Sequence, residues 1–223
     1  MTALVFTSNR FTKKKLLILA LIIILVLAVG AFAVFKFLIP SSDDPADSDP
    51  PPLSSKESYE KALPDLERKA SGSSDPTVIN QYAAALRATG NLQKASQEYL
   101  RSYKLEQSAP TATSLATIYR DLKDVDQAIE YYQKALDLDP TYILAVTQLM
   151  HIYEAKGESN KAITLLETSI SAASSDKIKQ ENLHLQLANL HRRLGNTAAA
   201  KKHYQTVLKL NPNNLAAQSA LEP

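Results

Sequence analysis

The hydrophobic pattern changes character twice along the chain. From Leu16 to Phe35, twenty consecutive residues (LLILALIIILVLAVGAFAVF) carry no charge and no strongly polar group. At 1.5 Å per residue a helix of that length spans about 30 Å, the thickness of a bilayer's hydrocarbon core. Lys13, Lys14 and Lys15 flank one end, and an acidic proline-rich stretch follows the other. The pattern predicts a cytoplasmic basic tail over 1–15, a single-pass transmembrane anchor over 16–39, and the rest of the chain on the far side of the membrane. A cleavable signal peptide is the rival, with Leu16–Ala28 as its apolar core and Ala31-Phe32-Ala33 as its cleavage site; the mature chain is then secreted. Apolarity continuing through Ile39 favours the uncleaved anchor. A reversed topology, with the rest of the chain in the cytoplasm, is the third alternative. Residues 40–55 (PSSDDPADSDPPPLSS) lack the apolar area to offset ordering, so they read as a disordered Pro/Asp/Ser linker.

Beyond the linker the apolar positions recur at helical spacing. Residues 56–75 read as a lone helix, running through Pro64, and a connector. Then the chain repeats itself. Ala95, Ala128, Ala162 and Ala200 are separated by 33, 34 and 38 residues, with Tyr99, Tyr132, Leu166 and Tyr204 each four further on. Gly90, Lys123, Gly157 and Gly195 stand five before each alanine. Ahead of these come Tyr82-Ala83, Leu115-Ala116, Leu149-Met150 and Leu187-Ala188. Each unit reads as two helices, divided where glycine supplies a left-handed turn and closed in two units by Pro140 or Pro212. A lone pair cannot bury its apolar stripe, so neighbours must stack. The units fall at about 76–108, 109–142, 143–180 and 181–214 within a body of 76–223, and a short helix from Asn214 to Leu221 closes it. An extra four residues lie in Ser171–Gln180. The expected fold is all-α: an N-terminal transmembrane helix plus an α-solenoid of about four helix-turn-helix repeats.

The stretch Leu115-Ala116…Tyr119…Ala128…Tyr132…Ala135…Pro140 resembles the tetratricopeptide repeat family, and the other units resemble it less completely. Met150 and Ser174 are departures in the third unit, and the first lacks the closing proline. The resemblance implies a right-handed superhelix whose inner groove, lined by the first helices, holds a peptide or helix of a protein partner. The groove-facing residues it implies are Asn80, Ala84 and Arg87; Thr113, Thr117 and Arg120; Thr147, His151 and Glu154; and Leu185, Asn189, Arg192 and Arg193. Asn80 and Ala84 depart from the pattern with which family members clamp a C-terminal carboxylate, so that activity is not expected.

Charge and composition narrow the chemistry. Residues 1–39 carry five cations and no acid, 40–52 carry four Asp and no cation, and 53–223 hold 20 basic and 19 acidic residues. The body is balanced, without the clustered basic excess of a nucleic-acid footprint. With no cysteine there are no disulfides, thiol chemistry or lipoprotein anchor. No phosphate loop, G-x-S-x-G or H-E-x-x-H occurs, so neither an enzyme nor a cofactor is expected. Arg87, Arg120 and Arg192 occupy equivalent places near the ends of three first helices. They read first as cations complementing helix dipoles, and otherwise as a basic ladder for an acidic partner. His184 and His191, seven apart, and His151 and His203 lack the spacing of metal ligands. They read as half-buried replacements for aromatics, which makes the fourth unit acid-labile. The sequence therefore points to a membrane-anchored protein-binding scaffold in a cell envelope, contacting the bilayer through 16–39. Alternatively it is a structural accessory subunit of an envelope assembly whose transmembrane helix makes the main contact.

Overall fold

The computed structural model describes residues 55–222. The basic tail, the anchor and the linker up to residue 54 lie outside them. Among the described residues no helix is long and apolar enough to cross a membrane. They form ten helices and no strand: α1 (Lys56–Ala70), α2 (Pro76–Ala88), α3 (Leu92–Leu105), α4 (Ala109–Asp121), α5 (Val125–Leu138), α6 (Ile143–Ala155), α7 (Ser159–Ala172), α8 (Lys177–Arg193), α9 (Thr197–Leu210) and α10 (Leu215–Leu221). Helices α2 to α9 make four hairpins that pack on one another in chain order.

Local chemistry sets the boundaries. Ser55 caps α1 in a reciprocal box with Ser58, Asp75 accepts from the Thr77 amide at 2.8 Å ahead of Pro76, and Ser108 and Asn214 cap α4 and α10. Helix α1 runs through the exposed Pro64, where the missing N–H leaves a carbonyl to water. The four intra-hairpin turns are the same structure. In each, an amide bonds back across the turn (Asn91 to Leu86, Asp124 to Tyr119, Glu158 to Tyr153, Asn196 to His191), all at 2.8–2.9 Å. The residue before that amide is left-handed: Gly90, Gly157 and Gly195 in three hairpins, and Lys123, at φ 68°, in the second.

Ala95, Ala128 and Ala162 are fully buried and Ala200 nearly so, which lets paired helices approach closely, and Tyr99, Tyr132, Leu166 and Tyr204 fill the space beside them. Where the other hairpins have Ala83, Ala116 and Ala188, the third has the larger Met150, and the backbones of α6 and α7 approach each other less closely than those of the other three pairs. The core is continuous from α1 to α8; a small separate cluster of Ala188, Ala200, Tyr204, Val207 and Ala217 closes the last hairpin against α10. The extra four residues in Ser171–Gln180 add a turn of helix, so that α8 has 17 residues where the other first helices have 13. Asp176 makes this possible by accepting from the amides of Ile178 and Lys179 at 3.1 and 3.0 Å.

Candidate protein-binding face

Neighbouring first helices are tied edge to edge by polar side chains. Arg87 on α2 donates through Nε and Nη2 to Asp121 of α4, each at 3.2 Å. Arg120 on α4 reaches Asp121 at 3.2 Å and Gln148 of α6. Arg193 on α8 grips Glu154 of α6 with three bonds of 2.8–2.9 Å. At the other end of the same helices Asn80 donates to Thr111 at 3.0 Å and Thr147 to Gln186 at 3.1 Å. These groups are partly exposed, so each tie contributes little stability, but together they fix how successive units are oriented. Arg87 and Arg120 are thus engaged with a carboxylate of their own chain. The third-unit counterpart of these arginines is Glu154, and it is Arg193, not Arg192, that pairs with it. Arg192 itself is exposed and makes no ion pair among the described residues.

The middle of the face is held from beneath. The buried Tyr132 hydroxyl meets Thr117 at 3.0 Å, and the Tyr204 hydroxyl donates to Asn189 Oδ1 at 2.7 Å. Thr117 and Asn189 each lie fifteen residues before the tyrosine they orient. Thr113, expected to face the groove, is 1 % exposed. Thr113 Oγ1 and Asn80 Oδ1 are buried without a hydrogen-bond partner.

The later half of the face opens between two first helices. A cavity of about 200 Å³ between α6 and α8 is lined by Thr147, Met150, His151, Gln186, Asn189 and Arg193. Four of the expected groove residues meet there, and Glu154 stands beside them, holding Arg193 and accepting at 3.3 Å from the exposed His151 ring when Nδ1 carries its proton. Met150 and Gln186 were not anticipated. Met150 had a signal, as the one large residue at a small position; Gln186 had none. The arrangement offers amide and hydroxyl groups, an imidazole and a flexible thioether wall, a surface suited to a peptide.

Behind this face three imidazoles form a column. His203 of α9 stacks between His184 and His191 of α8, with ring centroids 5.3 and 5.6 Å away, and the Nδ1 atoms of His184 and His203 are 3.1 Å apart. Burial, reinforced by the two neighbouring rings, pushes the His203 pKa down to about 4, and burial also lowers that of His184. The half-buried aromatic-like role expected of these histidines fits this place, but no spacing along the chain marks His203 as joining the other two. Among the described residues no group of three or more His, Asp or Glu is arranged to hold a metal ion.

Residues 109–142 and 182–214 each match a family profile described as tetratricopeptide repeat. Anaphase-promoting complex subunit 7 of Arabidopsis thaliana is 29% identical over 97 residues, which are 44% of this chain and 16% of that protein. The chain spans well under half the length of such curated relatives. Among solved structures, MamA superposes with a TM-score of 0.56 at 18% identity, covering 70% of this chain and 91% of MamA. YrrB, described as a TPR protein with an unusual peptide-binding site, gives 0.50 at 14% identity over 74% of this chain and 88% of its own. At these identities the likeness establishes the fold. The chain carries tetratricopeptide repeats stacked as an all-α solenoid.

Proposed function

We propose that this array of tetratricopeptide repeats is a non-enzymatic docking scaffold that binds a peptide or helix of a protein partner on its first-helix face. The observation that carries the reading is the opening between α6 and α8, where Thr147, His151, Asn189 and Arg193 converge. YrrB, whose printed description names a peptide-binding site, supports it by analogy of fold. The finer reading places the scaffold on a membrane. The apolar run from Leu16 to Phe35, with Lys13–Lys15 before it, is a single-pass anchor with its N-terminus in the cytoplasm and the repeats outside.

In-cell crosslinking of the full chain, with mass spectrometry of the captured protein, tests docking. Thr147→Ala with Asn189→Ala is expected to remove the crosslinked partner without changing the amount of scaffold; an unchanged crosslink refutes the α6–α8 site. A reporter active only outside the cytoplasm, fused after Pro223, is expected to work. Activity of a cytoplasmic reporter in its place refutes the topology. Deleting residues 1–39 separates docking from an accessory role for the anchor, because a scaffold needs only its repeats to retain the partner.

A further inference from the structure

A second cavity, about 370 Å³, lies at the turn edge where the second hairpin meets the third. Its floor is apolar, made by Val125, Ile152 and Ala155. Arg120, Lys123 and Lys156 stand at its rim, and no carboxylate lines it. The second unit as a whole is acidic, and two of the three rim cations, Arg120 and Lys156, already have a carboxylate of their own chain beside them. Asp121 bonds Arg87 and Arg120, Asp124 accepts from the Gln127 amide at 3.1 Å, and Asp126, 93 % exposed, is 3.8 Å from Lys156. Lys123 makes no ion pair among the described residues.

The conformation of Lys123 is the second observation. Three of the four intra-hairpin turns use glycine at the left-handed position; the fourth uses Lys123 at φ 68°. A Cβ at such an angle is disfavoured by roughly 1–2 kcal/mol, so glycine is the better residue for the turn alone. The exception falls at a turn whose residue lines a cavity, and its side chain adds a cation without an ion pair to the rim. Strain of this kind is characteristic of positions kept for contact with something else.

We propose that this cavity is a docking pocket for an acidic peptide segment of a partner protein, taking one bulky apolar side chain onto Val125, Ile152 and Ala155 while a carboxylate beside it meets Lys123 and a second displaces the exposed Asp126 from Lys156. This deepens the docking reading above and rests on it. The pocket lies on the turn edge and is separate from the α6–α8 opening except for His151, which borders both. Lys123 is a specificity residue in this account: it selects acidic ligands at a cost to the turn.

The test uses the full chain in nanodiscs and a fluorescent synthetic peptide with one central leucine flanked by aspartates. Lys123→Gly is expected to weaken the peptide three- to tenfold, on the order of a lost rim charge pair, while holding Tm or raising it by about 2–4 °C. Opposite signs in the two measurements are what a purely structural lysine does not produce. Ala155→Trp, at an exposed position, is expected to fill the pocket and abolish binding. A lysine-flanked peptide is expected not to bind. The proposal is overturned if Lys123→Gly raises Tm and leaves affinity unchanged, if wild type ignores the peptide, or if it binds vesicles of phosphatidylserine and phosphatidylcholine in its place. A natural partner lost with Thr147→Ala and Asn189→Ala but indifferent to Lys123→Gly and Ala155→Trp overturns the pocket and leaves the docking scaffold standing.

Discussion

The second and fourth hairpins place an aromatic pair at the same point of the repeat, and the two pairs have almost the same geometry. Tyr119 and Tyr131 stack at 5.5 Å, and His191 and His203, each 72 residues further on, stack at 5.6 Å. The chemistry differs. Burial raises the Tyr119 pKa, so that ring stays neutral at any working pH. In the fourth hairpin His184 replaces Ala112 and adds a third imidazole to the column. The scaffold has used one packing site for a fixed contact in one unit and a titratable contact in another. Their settings also differ: Tyr132 lies in the continuous core, whereas Tyr204 belongs to the small cluster that α10 closes.

Truncating the filling tyrosines tests that second contrast with the largest expected effect. Tyr132→Ala should lose about 3–5 kcal/mol in urea denaturation. Tyr204→Ala should lose less, because its neighbours can collapse onto a thinner core; equal losses would show the two cores to be equivalent. The pH contrast comes next. His203 has a folded pKa of about 4 against an ordinary 6.5, so between those values the unfolded chain binds more protons. Stability is therefore full above pH 6.5 and falls as pH drops towards 4. After discounting for solvent access, the loss is about 1–2 kcal/mol. Thermal melts at pH 7.5 and 4.5 should show it. The His184→Ala, His191→Tyr, His203→Tyr triple variant, which copies the second hairpin, should flatten the dependence on pH, and a slope that survives it would place the titrating group elsewhere.

The turns give a smaller contrast. Gly195→Ala should destabilise by about 1 kcal/mol, because its φ of 77° disfavours a Cβ although nothing lies within 4 Å of one. Lys123→Ala should be nearly neutral, since a Cβ already stands there. Smallest of all are the ties between units. Arg87→Gln and Arg193→Gln should each cost at most about 1 kcal/mol in Tm-derived stability. A much larger loss from Arg193→Gln would mean that Glu154 holds the last unit in place rather than merely orienting it.

Much of this architecture could be read before any coordinates. The small residues at Ala95, Ala128, Ala162 and Ala200, and the bulky residues four further on, report a period that each hairpin imposes on itself. Helix spacing, left-handed turns and caps depend on residues a few positions apart, and so leave a local record. The groove residues were less legible. Equivalent positions on successive first helices were taken to share one environment, yet Thr113 is closed over while Thr147 and Asn189 border an opening. That the extra residues extend α8 at its start was not legible either, because Lys177 to Gln180 carry little apolar signal.

The sequence by itself determined that the body is a row of helix pairs, where each pair turns, and which side chains fill the space between its two helices, because these follow from short-range periodicity and steric preference. Only the tertiary structure decided which arginine meets Asp121 or Glu154, that His203 lies between two histidines of another helix, and that the face opens between α6 and α8. Most of those outcomes join residues between 12 and 46 positions apart, whose approach depends on how the helices of a unit pack and on how far one unit is rotated against the next. That rotation is the sum of many packing contacts, so no single stretch of sequence records it.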